Sequence, residues 1–303
     1  MKKMYLVLLL SGGLLRTVLH AAAIELEDDL GKTVALAAVP QRLVSLAPSN
    51  TELLFAIGRG DRLVGVTDYC NFPEAAKGIA RVAGFNSLSV EKVVAARPDL
   101  VVASRGNDPE GLETLRQLGI PVFALDIQTL DQMLLAVERL GKLGGAEEKA
   151  LAVKKELGAR VEKVRQKIAS AGERPKVMWG YWGEPVYTAG ARTVIDDVVV
   201  AAGGTNVGRQ VPGAWPQVGL ETIVGWAPEV ILATYPPQLA DPEKLKEEIQ
   251  HLRQMDGWKE VPAVKQGRIY YIDGDLLNRP GPRLVDALEQ FARILHPRAF
   301  EEK

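Results

Sequence analysis

Cysteine and histidine are scarce in this sequence. The one cysteine, Cys70, has no second thiol for an internal disulfide, and we interpret it as a half-buried, inert thiol because no histidine is near it in sequence. The three histidines are His20, His251 and His296, and the last two are interpreted as surface residues. This scarcity excludes a disulfide-stapled fold and disfavours a divalent metal-ion binder, which would need a histidine-rich cleft.

Signatures of common enzyme classes are also missing. The chain contains no HExxH, GxSxG, GxxxxGK[ST] or paired CxxC motif. Zinc hydrolysis, acyl transfer by an activated serine and P-loop chemistry therefore lack their residues. We expect a protein that is not an enzyme, with no catalytic residues and no metal or cofactor of its own.

The first 23 residues differ from the rest of the chain. Lys2 and Lys3 precede an apolar stretch, and three alanines precede the acidic "IELEDD", which is the pattern of a secretory signal peptide and is too short for a membrane span. The alternative is an N-terminal helix that stays. Export would leave 34 basic and 38 acidic residues, which disfavours nucleic acid or an anionic membrane as the partner. No cysteine lies near the cleavage site, so no lipid anchor is expected.

The composition, 47% hydrophobic and 25% charged, is that of a globular protein. One sequence motif occurs twice in the chain. "SVEKVVAARPDLVVA" begins at residue 89 and "GLETIVGWAPEVILA" begins 130 positions later. Each copy predicts a helix, a turn and a buried strand, and in both halves strands alternate with helices. The sequence therefore predicts an α/β fold of two similar lobes, each a mostly parallel sheet with flanking helices.

A long amphipathic segment separates the halves. Apolar residues recur every three to four positions, with one gap, at Leu151, Leu157, Val161, Val164 and Ile168, so we expect one helix of about 25 residues that crosses between the lobes. The predicted organisation is a signal peptide at 1–23, an N-terminal lobe at 24–143, a connecting helix at 144–172 and a C-terminal lobe at 173–303. One rigid crossing should allow only small lobe motions.

Five aromatic residues fall in loops that follow strands or precede helices, where an open α/β lobe places its ligand. Any one of them is more often packing than a ligand platform, but five in corresponding loops favour a cleft with flat apolar walls. Asp275 and Arg279 are either a surface ion pair or polar groups that orient a ligand at the cleft rim. The aromatic candidates are Tyr69, Phe85, Tyr181, Trp182 and Trp215.

Glu91 and Glu221 occupy the same place in the two repeats. A glutamate in the first turn of a helix is stabilised by the helix dipole, and that alone could explain either residue. Two equivalent acids could instead dock on two equivalent basic sites of a symmetric partner. The sequence leaves these two readings open.

At these residues the sequence resembles the helix-linked (class III) periplasmic binding proteins, which deliver cobalamin, haem and ferric siderophores to ABC importers. "DDLGKTVALAAVPQRLVSLAPSNTELLFAIG" is similar to the family's opening, and the two repeats are similar to its docking helices and strands. "GVTDYCNFP", "WPQV" and "DLLNRPGPR" are most similar to the cobalamin-binding members, although Phe85 stands where those proteins have tryptophan.

The resemblance implies a periplasmic, monomeric binding protein that holds cobalamin between its lobes. It implies that Tyr69, Phe85 and Trp215 stack on the ligand and that Asp275 and Arg279 contact the corrin side chains. It also implies that Glu91 and Glu221 meet arginines on two transmembrane subunits served by a cytoplasmic ATPase. The alternatives are haem, with Tyr69 as axial ligand, or a ferric siderophore. An alternative of another class is a tetrapyrrole metal chelatase-like enzyme with Cys70 or Glu184 in its site.

Overall fold

The computed structural model describes residues 24–84, 87–169, 171–181, 185–235 and 237–301. The predicted signal peptide at 1–23 lies outside these residues. Two lobes, each built on its own sheet, follow one another along the chain. Among the described residues, no helix is long and apolar enough to cross a membrane.

The N-terminal lobe contains a five-stranded sheet in the order β5-β4-β3-β6-β7, with every neighbouring pair parallel. A separate antiparallel hairpin, β1-β2, turns through Gly31, whose positive φ suits a residue without a Cβ. The elements of this lobe are β1 (Ile24–Glu27), β2 (Thr33–Leu36), β3 (Leu43–Ser45), α1 (Pro48–Ala56), β4 (Leu63–Thr67), β5 (Arg81–Ala83), α2 (Val90–Ala95), β6 (Leu100–Ser104), α3 (Pro109–Gln117), β7 (Val122–Leu125) and α4 (Leu130–Gly144).

The connecting helix α5 spans Glu147–Ile168, 22 residues where the pattern predicts about 25. Leu151 is exposed, contrary to the predicted apolar face, because Ala150 occupies the buried position at that turn. Arg160 near the middle of α5 forms ion pairs with Asp286 and Glu289 of the C-terminal lobe. The helix is therefore joined to that lobe by charge as well as by apolar packing.

The C-terminal lobe has a sheet in the order β11-β9-β8-β12-β13, with β10 beside β8. Strands β10, β8, β12 and β13 are parallel, whereas β9 and β11 are antiparallel additions. The elements of this lobe are β8 (Lys176–Tyr181), β9 (Val186–Thr188), α6 (Val194–Ala201), β10 (Thr205–Asn206), β11 (Gln217–Val218), α7 (Leu220–Trp226), β12 (Val230–Tyr235), α8 (Pro242–Leu252), α9 (Pro262–Gln266), β13 (Ile269–Tyr271), α10 (Gly274–Leu277) and α11 (Leu284–Leu295).

Both sheets are covered on two faces, as parallel sheets require. One continuous cluster of buried apolar side chains joins the inner faces of the two sheets through α1, α4, α5, α6 and α11. The outer faces have separate clusters, one under α2 and α3 and one under α7, α8 and α9. The repeated helices α2 and α7 thus hold equivalent places, one on the outer face of each sheet.

The acid of each repeat has a structural role that is the same in both lobes. Asp99 accepts the backbone N–H of Arg42, just before the central strand β3, and Glu229 accepts that of Lys176 at the start of the central strand β8. In return, the side chain of Arg42 donates to carbonyls at the end of α2, and that of Lys176 donates to the Trp226 carbonyl at the end of α7. The fold therefore accounts for this repeated acid.

The turn between helix and strand is also repeated. Arg97 and Ala227, which end the two helices, both adopt a left-handed backbone with φ of 48° and 50°. A non-glycine residue with positive φ is uncommon, so its occurrence at equivalent positions marks a shared local structure. Pro98 and Pro228 follow, and neither can continue a helix without breaking its hydrogen bonds.

Helix α1 begins at Pro48, where the missing N–H of proline needs no hydrogen-bond partner. Two expectations for single residues were wrong. His296 is buried, with Nε2 3.2 Å from the Gly203 carbonyl, because the chain end folds back on α6. Cys70 is fully buried against two threonine hydroxyls.

Candidate ligand-binding cleft

A cleft of about 1070 Å³ lies between the lobes, and both lobes line it. Most of its wall comes from loops at the carboxyl ends of parallel strands and from the starts of α1 and α6, the usual ligand position in open α/β sheets. The volume is slightly above the roughly 300–1,000 Å³ typical of small-molecule sites, so the cleft has room for a large ligand. The lining segments are 47–50, 68–69, 84, 87, 104–106 and 125–128 of the N-terminal lobe, and 192–194, 214–215 and 278–280 of the C-terminal lobe.

Among the described side chains, each lobe contributes one exposed aromatic ring to this cleft. Tyr69 follows β4 and is 59% exposed, and Trp215 precedes β11 and is 51% exposed. The buried Trp179 of β8 packs edge-on against Trp215, with ring centroids 5.7 Å apart at 65°. Large exposed rings on a concave surface provide apolar area that a flat ligand can bury. Trp215 is supported from behind, so it can act as a fixed platform.

Three other aromatic candidates have less structural description. Phe85 and Trp182 lie outside the described residues, and Tyr181 ends β8 with its side chain not described. Gly84 and Ser87, the described residues on either side of the Phe85 segment, both line the cleft. The roles of Phe85, Tyr181 and Trp182 in ligand contact stay predictions.

Asp275 and Arg279 belong to a closed network that joins the lobes. Arg279 lines the cleft, and its guanidinium lies 2.6 Å from Asp275, which is outside the set of described residues that line the cleft. Asn71 of the N-terminal lobe accepts a hydrogen bond from Arg279 at 2.6 Å and donates one to Asp275 at 3.0 Å. Each member satisfies the other two, so the pair is more than an isolated surface ion pair.

A buried ion pair lies behind this network. Glu52 of α1 accepts two hydrogen bonds from Arg283, at 2.6 and 2.9 Å, and lies 4.0 Å from Arg279. The hydrogen bond with Glu52 raises the pKa of Arg283. The Arg283 guanidinium also lies over the Phe72 ring, 4.1 Å from its centroid. These contacts join the two lobes beside the cleft, since Ser49, Asn50 and Pro280, which line it, are close to Glu52 and Arg283 in the chain.

Two lining arginines were not predicted from sequence. Arg105, after β6, is paired with Asp126 at 2.7 Å. Arg192, just before α6, has no ion-pair or hydrogen-bond partner among the described residues. The one sequence signal for Arg192 was its position next to Thr193, the N-cap residue of α6, in the loop between β9 and that helix. Sequence does not reveal which arginines are neutralised.

Glu91 and Glu221 lie in the first turns of α2 and α7, and both are exposed. Neither carboxylate has a hydrogen-bond or ion-pair partner among the residues that the structure describes. Both helices begin within a few residues of the cleft wall, since Ser87 and Trp215 line it. The two glutamates, which lie on outer helices of the two lobes, are therefore accessible to a partner protein.

Within the described ranges, no group of three or more histidine, cysteine, aspartate or glutamate side chains could hold a metal ion. Cys70 is buried away from the cleft, and Glu184 lies outside the described residues. The chelatase-like alternative therefore has no described residue that supports it.

Similar proteins agree with this architecture. The family model described as periplasmic binding protein matches residues 43–276. The uncharacterised ABC transporter substrate-binding lipoprotein YvrC of Bacillus subtilis is 32% identical over 286 residues, covering 92% of this chain and 87% of the relative. The vitamin B12-binding protein of Photorhabdus laumondii is 30% identical over 263 residues, covering 86% and 90%.

Solved structures with the same fold are named for different ligands. The vitamin B12-binding protein BtuF of Vibrio cholerae has a TM-score of 0.75 at 28% identity and covers 87% of this chain and 99% of its own. A periplasmic haem-binding protein of Pseudomonas aeruginosa has a TM-score of 0.75 at 26% identity and covers 87% and 95%. The family and these relatives are binding proteins of transporters and not enzymes. The chain belongs to the periplasmic binding protein family and is the substrate-binding component of an ABC transporter, which supplies a membrane permease and an ATPase as its partners.

Proposed function

We propose that this protein captures cobalamin or a related corrinoid in the interlobe cleft and delivers it to the permease. The observation that carries the proposal is the pair of exposed rings, Tyr69 and Trp215, one from each lobe of a cleft of about 1070 Å³. A corrinoid is large and has flat apolar faces that such rings can cover. The vitamin B12-binding relatives, at about 30% identity, support the same ligand class.

The test is a titration of residues 24–303 with cyanocobalamin, haemin and a ferric siderophore, followed by tryptophan fluorescence and the visible spectrum of each ligand. We expect saturable, stoichiometric binding of cyanocobalamin alone. Trp215→Ala should weaken that binding about 30-fold or more, because a central aromatic platform is typically worth roughly 2 kcal/mol or more. Tyr187→Ala, which removes an exposed ring outside the cleft, is the matched control and should bind normally. If only haemin or the siderophore binds, the corrinoid assignment is wrong.

Haem or a ferric siderophore is the second candidate. It is favoured by the exposed phenol of Tyr69, which can supply an axial oxygen ligand to ferric iron, and by the haem-binding structural neighbour. Tyr69→Phe separates the two candidates because it keeps the ring and removes the oxygen. Stacking predicts that this variant retains nearly full affinity, whereas ligation predicts loss of the charge-transfer bands of bound haemin.

We infer that Glu91 and Glu221 dock this protein on the two halves of the permease. Four features recur at equivalent positions of the repeats, and the fold explains three of them: the acid that receives a strand N–H, the left-handed turn and the proline. The remaining feature, the exposed glutamate, has no partner within the described part of either lobe. Helix-dipole stabilisation of roughly 0.3–1 kcal/mol would account for each singly but not for the retained pair.

We propose further that the chain is made with a cleavable signal peptide at 1–23 and works in the periplasm without a lipid anchor. The N-terminal pattern supports export, and burial of Cys70 in the N-terminal lobe removes that thiol from consideration as an attachment point. Mass spectrometry of the exported protein tests this, because an anchored form would carry acyl chains and partition into detergent.

A further inference from the structure

One cleft arginine, Arg192, has a charge that no described residue of the protein pairs with. Of the three arginines among the described lining residues, Arg105 is paired with Asp126, and Arg279 with Asp275 and Asn71. Arg192 makes no ion pair or hydrogen bond within the described chain. A guanidinium presents five N–H donors in a planar fork, and leaving it free at a ligand site means that those donors are available to the ligand.

The backbone of Arg192 is also unusual. Its φ of 62° lies in the left-handed region, which is unfavourable for a residue with a Cβ and where glycine would be unstrained. Such residues persist when the surrounding structure imposes them, and they concentrate at functional sites. A strained arginine on a ligand cleft therefore calls for a role that glycine could not fill.

The turn that carries Arg192 is fixed on both sides. The Thr193 hydroxyl donates to the Gly190 carbonyl at 3.0 Å and accepts the N–H of Asp196 at 3.1 Å. The Gly190 N–H donates to the carbonyl of Ala214, the residue before the Trp215 platform, at 2.8 Å. Arg192 and the aromatic platform are thus parts of one wall whose backbone is held in place, so the point from which the guanidinium reaches into the cleft is fixed before a ligand enters.

We propose that Arg192 recognises an anionic oxygen of the bound ligand, a carboxylate or a phosphodiester. The fork of a guanidinium matches the geometry of both groups, and such charge-assisted hydrogen bonds are stronger than neutral ones. Asp68, a carboxylate on the opposite side of the cleft, forms no ion pair with it, so nothing in the described chain competes for the site. This role rests on the proposed function, because it requires the cleft to be the ligand site.

The test compares Arg192→Asn with the wild type on two matched probe pairs. Asparagine tolerates a left-handed backbone and removes the charge. Cyanocobalamin has a phosphodiester that dicyanocobinamide lacks, and haemin has two carboxylates that its dimethyl ester lacks. One of these pairs should contain the probe that the wild type binds. For that pair, we expect Arg192→Asn to bind the member with the anionic group about 10-fold or more weakly than the wild type does, and to bind the member without it as tightly as the wild type does. The pair that responds identifies the phosphodiester or the carboxylate as the recognised group.

Arg97→Asn is the matched control. Arg97 is also an exposed arginine in a left-handed backbone, with φ of 48°, but it lies outside the cleft. Both variants should keep wild-type thermal stability or gain slightly, and only the Arg192 variant should lose affinity. Arg192→Lys should keep the salt dependence of binding, because it keeps the charge, and Arg192→Asn should flatten it.

Three results would overturn the proposal. Equal losses on the anionic and neutral probes would indicate a shape effect, unchanged binding of every probe would remove any role in recognition, and an equal loss in Arg97→Asn would make the effect non-specific. If the wild type binds no probe, the proposed function itself fails and the role of Arg192 falls with it. That outcome is distinct from wild-type binding that the substitution leaves intact.

Discussion

Replacing Glu52 with glutamine should destabilise the protein substantially, because it breaks the buried ion pair that joins the lobes. The Glu52 side chain is 2% exposed and that of Arg283 is 18% exposed, with two hydrogen bonds between them. Breaking one partner of a buried pair typically costs about 3–5 kcal/mol, because the other charge is left uncompensated. Water can reach part of Arg283, so we expect a loss of about 3 kcal/mol. For a chain of this size that lowers the melting temperature by roughly 6 °C.

The measurement is urea unfolding of the wild type, Glu52→Gln, Arg283→Met and the double variant. A double-mutant cycle isolates the pairwise coupling, which we expect to exceed about 1.5 kcal/mol. Glu74→Gln is the matched control because Glu74 also has an ion pair with a short 2.7 Å contact, to Lys77, but is 84% exposed. Exposed pairs contribute about 0–1 kcal/mol, so this variant should unfold like the wild type. Equal losses for Glu52→Gln and Glu74→Gln would refute the argument from burial.

Three further predictions concern docking, pH and the cleft wall. Glu91→Arg combined with Glu221→Arg should leave ligand titrations unchanged and abolish uptake in a transport assay with the cognate permease; surviving uptake would exclude the docking role. Burial raises the pKa of Asp197, which accepts the N–H of Leu130 across the lobes, so its ionised form is unfavourable in the folded state. Asp197→Asn keeps a hydrogen-bond acceptor and should stabilise the protein at neutral pH. The gain should disappear as pH falls through the raised pKa of folded Asp197 toward the ordinary aspartate value of 3.8; a gain that is constant in melting experiments between pH 3 and 7 would contradict this. Gly190→Ala would place a Cβ 2.0 Å from a backbone oxygen, so it should cost about 1–3 kcal/mol in urea unfolding and weaken ligand binding, and wild-type stability would show that the wall can relax.

The two-lobed architecture could be predicted because it depends on patterns within short segments of the sequence. Alternation of apolar runs and amphipathic segments specifies parallel sheets covered on both faces, and the repeated motif specifies two of them. The connecting helix followed from apolar periodicity, and only its ends and Leu151 differed. Helix ends depend on the hydrogen bonds of single backbone groups. The exposure of Leu151 depends on Ala150 taking the buried position, which the apolar pattern does not identify.

The polar part of the site could not be predicted in the same way. Glu52 and Arg283 are 231 positions apart, and no pattern in either segment reveals that they meet. Arg192 looks like any arginine before a helix, because the sequence shows neither its left-handed backbone nor that it has no ion-pair or hydrogen-bond partner among the described residues. Ion pairs between lobes are set by tertiary geometry, whereas resemblance located Arg279 without revealing that Asn71 and Asp275 already satisfy it.

The cleft and the proposed docking surface share short stretches of chain, which constrains how the permease can sense the ligand. Ser87 and Trp215 line the cleft, and Glu91 and Glu221 follow them by four and six positions. The lobes are joined beside the cleft by the Glu52–Arg283 pair, so the spacing of the two glutamates does not depend on a wide hinge motion. A ligand that fixes the wall segments would act on the adjacent helix starts directly. Under the proposed docking, the permease would meet a preset frame, and occupancy of the cleft would be communicated through the two loops and not through closure of the lobes.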